Sequence, residues 1–156
     1  MKAINHQITT ASAYYICMNT MQDTFYWMSF AGMGFAMLGA LLPDIDTRHS
    51  RVGRIVPFLS IPIEGILGHR GALHSLLAAF GLWFLCATFE FPWAYSLTFG
   101  YIGHLVGDAC TKSGVNFFWP ITTRYRVPLT PASNGFFEAV TTVSFFCLAM
   151  YIGVQN

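Results

Sequence analysis

With 156 residues, 54% of them apolar and only 10% charged, the chain lies far below the roughly one-quarter charged content of a soluble domain. Its mean hydropathy of +0.51 predicts one integral membrane domain over residues 1–156, with no length for a second. A net charge of +1 and the lack of any long basic run exclude a general nucleic-acid binder, which must neutralise several phosphates.

A helix crossing hydrocarbon needs about 20 mostly apolar residues, with ~17 as the lower limit. The first candidate, 5–22, opens on Asn5, His6, Gln7, Thr9, Thr10 and Ser12 and suits a helix packed inside a bundle. Its leading stretch holds one Lys and no early apolar core, so no signal peptide is expected. Residues 25–42 follow and stop at Pro43, then 73–90, 94–111 and 136–154. The expected fold is therefore all-α, a polytopic membrane helix bundle of about five spans. Between the second and third spans, "RIVPFLSIPIEGILGH" is apolar but broken by Pro57 and Pro62, which predicts an interfacial or re-entrant segment at 55–67. The aromatics of "GVNFFWP" at 114–120 suit headgroup depth. Gly32, Gly34 and Gly39 permit close helix contact, within the chain or between copies in a homo-oligomer. Cys17, Cys86, Cys110 and Cys147 are scattered singly and read as small buried hydrophobes, without a disulfide framework or a thiolate zinc site.

Two connections are short, Asp23-Thr24 and Phe91-Pro92-Trp93. Two are long, 43–72 and 112–135, and hold Arg48, Arg51, Arg54, Arg70, Lys112, Arg124 and Arg126. The positive-inside rule makes the long loops and the N-terminus cytoplasmic and the C-terminus external. A consequence follows that the charges alone do not contain. His6, Asp44, Asp46, His69, His74, His104 and Asp108 all reach the cytoplasmic face. Carboxylates and imidazoles kept beside hydrocarbon usually bind a metal or move protons.

His104 and Asp108 are four apart, so on a helix they point the same way and suit one cation or two adjacent ones; the alternative is a hydrogen-bonded pair fixing helix packing. Asp44 and Asp46 flank Ile45 and share a face if the segment is extended; alternatively they cap a helix, with Asp46 balancing Arg48. His69, Arg70 and His74 form H-R-x-x-x-H. Gly68 and Gly71 put His69 in a loop and His74 in the first turn of the third span, from which both converge on a metal; a backbone hydrogen bond is the other reading of His69. His49 is expected at the surface and outside the site. Arg70 is a fixed cation suited to phosphate. Arg124 and Arg126 serve either as phosphate ligands or as positive-inside anchors. Mixed imidazole and carboxylate ligation suits a divalent cation, Zn2+ ahead of Mn2+ or Fe2+, and the side chains suffice for one or two ions. Paired ions about 3.5–4 Å apart are the arrangement used for phosphoester hydrolysis. There is no G-x-S-x-G elbow to favour serine chemistry.

The strings "LLPDIDTRHS", "GHRGALHSLL" and "GYIGHLVGDACTKSGVNFFWPITTRYRVPL", with His6 ahead of them, resemble the YdjM-like family of bacterial inner-membrane proteins, described as metal-dependent hydrolases. The resemblance covers His6 to about Pro128. It implies an inner-membrane location and a metal set of His6, Asp44, Asp46, His69, His74, His104 and Asp108, with Arg70 as the Arg of an HRG motif. The layout is also similar to the zinc-dependent phospholipase C and nuclease group, but the later His and Glu ligands of those enzymes are missing, which implies one or two ions rather than three. The expected activity is hydrolysis of a phosphoester, lipid or lipid-linked, at the cytoplasmic interface of the bilayer. Asp46, His69 and Arg70 are the candidates to act on the substrate, and Arg70, Arg124 and Arg126 to hold its phosphate. The competing class is a metal-stabilised membrane scaffold or transport component.

Overall fold

Apolar runs in this chain become helices whose ends are set by serines and prolines. The computed structural model describes residues 3–21, 28–68, 71–111, 113–121, 123–127 and 135–155. Within them it is all-helical: α1 Ala3–Thr20, α2 Phe30–Gly39, α3 Arg51–Ile55, α4 Pro57–Leu67, α5 Leu76–Thr88, α6 Ala94–Ala109 and α7 Phe136–Gln155, with 3-10 turns at Pro43–Asp46 and Ala72–His74. Ser29 caps α2 by accepting from Gly32 N, and Ser75 caps α5 by accepting from Ala78 N, each satisfying an orphan donor of a first turn. Pro43 falls at the first position of the turn that ends the second apolar run.

These stops shorten the helices. The stretch Glu138–Gln155 of α7 is long and apolar enough to cross a bilayer unaided. Helices α2, α5 and α6 have 10, 13 and 16 residues, and α1 has the length but a polar first half. Five separate spans therefore do not follow from helix length. The interruption expected at 55–67 is an 11-residue helix, α4, that accommodates Pro62 internally. The Asp23-Thr24 connection lies outside the described residues.

Directions alternate. Gly32 faces Ser96, Ala36 faces Gly100 and Ala40 O meets His104, so α2 and α6 run parallel with contacts every four residues. Tyr14 near the far end of α1 bonds Ser96 near the start of α6 at 2.9 Å, so α1 is antiparallel to both. A Cβ on Gly39 would collide with the carbonyl of Leu97, and one on Gly100 with that of Ala36; hydrogen at these positions lets the backbones approach, as in membrane bundles. Gly32 and Gly39 thus serve an internal contact, whereas Gly34 faces open space. Helix α7 lies parallel along α1, joined by Asn5 Nδ2 donating to Glu138 Oε2 at 3.2 Å and by the Thr9 and Thr142 hydroxyls at 3.3 Å.

Large apolar side chains point outward, among them Phe58 and Ile66 of α4, Phe80 and Phe84 of α5, and Phe146 and Val154 of α7. The buried set is rich in polar groups: His6, Asp46, His74, His104 and Asp108. An apolar exterior of this extent around a polar interior suits a protein solvated by lipid.

Candidate metal centre

Alternating helix directions bring the N-terminal ends of α1 and α5 to the C-terminal ends of α2 and α6. His6 lies in the first two turns of α1, Asp44 and Asp46 in the 3-10 turn after α2, His74 in the turn before α5, and His104 and Asp108 in the last two turns of α6. Six residues from the four corners of the sequence meet there. Five are almost wholly enclosed: Asp46 and His74 at 0%, His104 at 1%, Asp108 at 2% and His6 at 3% exposure. Asp44 is half-buried.

The carboxylate of Asp108 is central. Its Oδ1 is 3.2 Å from His6 Nε2, and its Oδ2 is 3.7 Å from His74 Nε2 and 3.9 Å from His104 Nε2. His104 Nε2 is also 3.7 Å from Asp44 Oδ1. The rings of His6 and His104 stack at 4.0 Å, and His74 stands edge-on to His104 at 5.3 Å. Two three-residue groupings result, His6–His104–Asp108 and Asp44–His74–His104, each with ligand atoms within 4.8 Å of one another. They share His104.

Neighbouring groups fix the tautomers. His104 Nδ1 donates to Ala40 O at 2.7 Å, which leaves Nε2 with its lone pair toward the cluster. His74 Nδ1 lies 2.7 Å from Asp46 Oδ2, and a proton on that nitrogen likewise frees Nε2. Ring nitrogens held by a carbonyl or carboxylate on the side away from the cation are the usual support for metal-binding imidazoles. His6 Nε2 and His104 Nε2 are buried and make no hydrogen bond. An enclosed nitrogen without such a bond is costly, and a cation would satisfy both.

The turn bearing the aspartates is braced from several directions. Ser50 Oγ donates to Asp44 O at 2.6 Å, and Ser60 Oγ to Gly53 O at 2.9 Å. Tyr101 OH donates to Leu73 O, which seats the turn carrying His74. Burial raises the carboxyl of Asp44 above the ordinary range; the imidazoles of His6 and His74 oppose this, and Asp108 and Asp46 add to it.

The structure departs from the sequence reading at two points here. The Asp-Ile-Asp segment is a 3-10 turn, not an extended strand. With three residues per turn, positions two apart diverge by about 120°, so Asp44 faces His104 while Asp46 faces His74. Arg48 does not balance Asp46: its backbone N donates to Glu64 Oε2 at 3.0 Å, and its Nε lies 3.7 Å from the same oxygen. His69 and Arg70 lie outside the described residues. Arg124 and Arg126 are exposed on a segment closed by the bridge between Val115 and Tyr125. Val127 N donates to Ala109 O at 2.9 Å, which holds this segment at the end of α6 that carries His104 and Asp108.

Sequence reasoning missed the contribution of the Ala40 carbonyl. A backbone acceptor has no side-chain signature, but the small residues around it were visible.

A family profile described as "YdjM inner membrane protein" matches residues 1–155. The inner membrane protein YdjM of Escherichia coli and that of Shigella flexneri are each 35% identical over 129 residues, covering 75% of this chain. The chain spans 61% of the length of those two proteins. The uncharacterized protein YvsG of Bacillus subtilis is 33% identical over 116 residues, covering 73% of this chain and 72% of its own length. No solved structure matches. The chain belongs to the YdjM family of inner membrane proteins.

Proposed function

We propose that this protein is a multi-pass inner-membrane hydrolase that uses one or two divalent cations, Zn2+ foremost, to cleave a phosphoester at the cytoplasmic interface. The observation that supports it best is the pair of His/Asp groupings sharing His104, with buried imidazole nitrogens directed inward. In this reading the short helices span together: the bundle of α1, α2, α5, α6 and α7 crosses the bilayer, its apolar surface toward lipid and its metal end at the cytoplasmic headgroups. The arginines of the loops at that end agree with the positive-inside rule.

When bound, such a cation supplies Lewis acidity, polarising a phosphoryl oxygen and easing the ionisation of water. His6, His104, Asp108, Asp44 and His74 would hold it. Asp46 orients His74 and keeps its Nδ1 protonated, a positioning role in place of direct ligation. Arg70, Arg124 and Arg126 are suited to a phosphate by their charge and planar donors.

Metal analysis of purified protein and of Asp108→Ala tests the centre, and phosphate or headgroup release from mixed lipid micelles tests the chemistry. Stoichiometric metal without turnover on any phosphoester would favour the non-enzymatic reading, in which the cation closes the polar interior of a membrane scaffold. Ion conduction by the reconstituted protein would favour a transport component.

A further inference from the structure

Helix α7 packs along α1 and stands off from α6, and a groove of about 460 Å³ opens between the three. Thr9 and Ala13 of α1, Phe99 and Ile102 of α6, and Thr141 and Phe145 of α7 form its walls. Among the described residues, no charged one lines it. Gly103 and Gly107 of α6 border it without side chains. The volume falls within the range of about 300–1,000 Å³ typical of sites that enclose a small organic ligand.

The groove runs toward the end of the bundle that carries the His/Asp cluster. Gly107 of α6 and Thr111 just beyond its end bracket Asp108 in sequence, and both border the groove. On α1, His6 precedes Thr9 and Thr10 by one turn, and Ala13 by two, so ligand and lining share a face of the helix. Arg124 and Arg126 are held at the same end of α6 through the Val127–Ala109 hydrogen bond. At its side the groove meets exposed apolar residues, Val106 and Phe145.

We propose that the groove holds one hydrocarbon tail of a phosphate-headed membrane lipid, whose head then lies at the His/Asp cluster. An apolar slot that opens toward lipid and runs toward the end of the bundle carrying the His/Asp cluster and two arginines is complementary to an amphiphile with an anionic head. A water-soluble phosphoester has no group for the slot, and a partner helix has none for its polar end. The identity of the head rests on the phosphoesterase reading above; occupancy of the slot does not.

The test uses the full chain in phosphatidylcholine nanodiscs with phosphatidic acid carrying a terminal diazirine on one acyl chain. Photolabelling is expected to concentrate on the groove residues of α1, α6 and α7, above the labelling of Phe80 and Phe84 on the outer face of α5. Ala13→Phe fills the slot and is expected to lower groove labelling by about tenfold, the scale of a lost methylene-sized fit in an apolar pocket, with bound metal unchanged. Val106→Trp, which narrows the lipid-side opening, replaces it if that variant does not fold. Labelling spread evenly over α5 and the groove, or unmoved by either substitution, would overturn the proposal. These readouts need no turnover, so a failed phosphatase assay alongside groove labelling would reject the enzymatic reading and leave the lipid slot standing.

Discussion

Asp46 Oδ2 lies 2.7 Å from His74 Nδ1, and both side chains are fully enclosed. This geometry separates the two aspartates of the Asp-Ile-Asp turn into different tasks. Asp46→Asn keeps the shape but weakens the hold on the Nδ1 proton, and a cost of about 10- to 100-fold in metal affinity is expected. Asp46→Leu strands a buried N–H and is expected to lower stability by a further ~1–3 kcal/mol. Isothermal titration with Zn2+ and thermal unfolding in detergent distinguish the two effects.

His104 belongs to both groupings, so it is the most damaging single ligand to lose. His104→Ala is expected to abolish stoichiometric metal, whereas His6→Ala and Asp44→Ala each leave one grouping whole. Chelator should destabilise the wild type, by ~2.7 kcal/mol if free metal stands at 100 times its dissociation constant. It should leave His104→Ala unmoved. Elemental analysis and melting curves with and without chelator check this.

Protons compete with the cation for the same atoms. Imidazoles bind metal only when neutral, so affinity should fall on acidification. Asp44 adds to this loss. Its carboxyl is raised by burial, so it takes up a proton at a higher pH than an ordinary aspartate and begins to compete earlier on acidification. Metal retention should therefore be greatest at mildly alkaline pH and decline on acidification. For Asp44→Asn, which has no such proton, the decline should be shallower. Metal content after dialysis across pH measures both curves.

The close approach of α2 to α6 sets the distance from Asp44 to His104. Gly39→Ala and Gly100→Ala place a methyl against a carbonyl of the facing helix. Each is expected to cost about 1–3 kcal/mol by overpacking and to lower metal affinity as the turn after α2 is pushed away. Gly34→Ala, with open space around it, should change neither and serves as the control.

Much of the centre was legible because its parts are chemically conspicuous. His104 and Asp108 announced themselves by four-residue spacing on an apolar helix, and His74 and Asp44 by their place beside apolar runs. His6, a single histidine near a terminus, was brought in by topology, since alternating passes return the chain to one end. The all-helical fold followed from the same runs. The turn geometry of Asp44 and Asp46 was not legible: proline at the first position is compatible with extended, capping and 3-10 backbones, and the choice depends on Ser50 and Ser60 bracing the loop from beyond it. Helix starts at Phe30 and Leu76 were marked by Ser29 and Ser75, but hydropathy windows pass over a single serine. Arg48 was assigned to a near neighbour in sequence, and its partner Glu64 comes instead from α4.

The ligands of this centre are strung from the first helical turn to the close of α6. Synthesis from the N-terminus therefore makes His6, Asp44, Asp46 and His74 before His104 and Asp108. Until α6 arrives, those earlier groups lack the companions that excuse their presence beside hydrocarbon. On the proposed reading, the cluster can close around an ion only once α6 has joined the bundle.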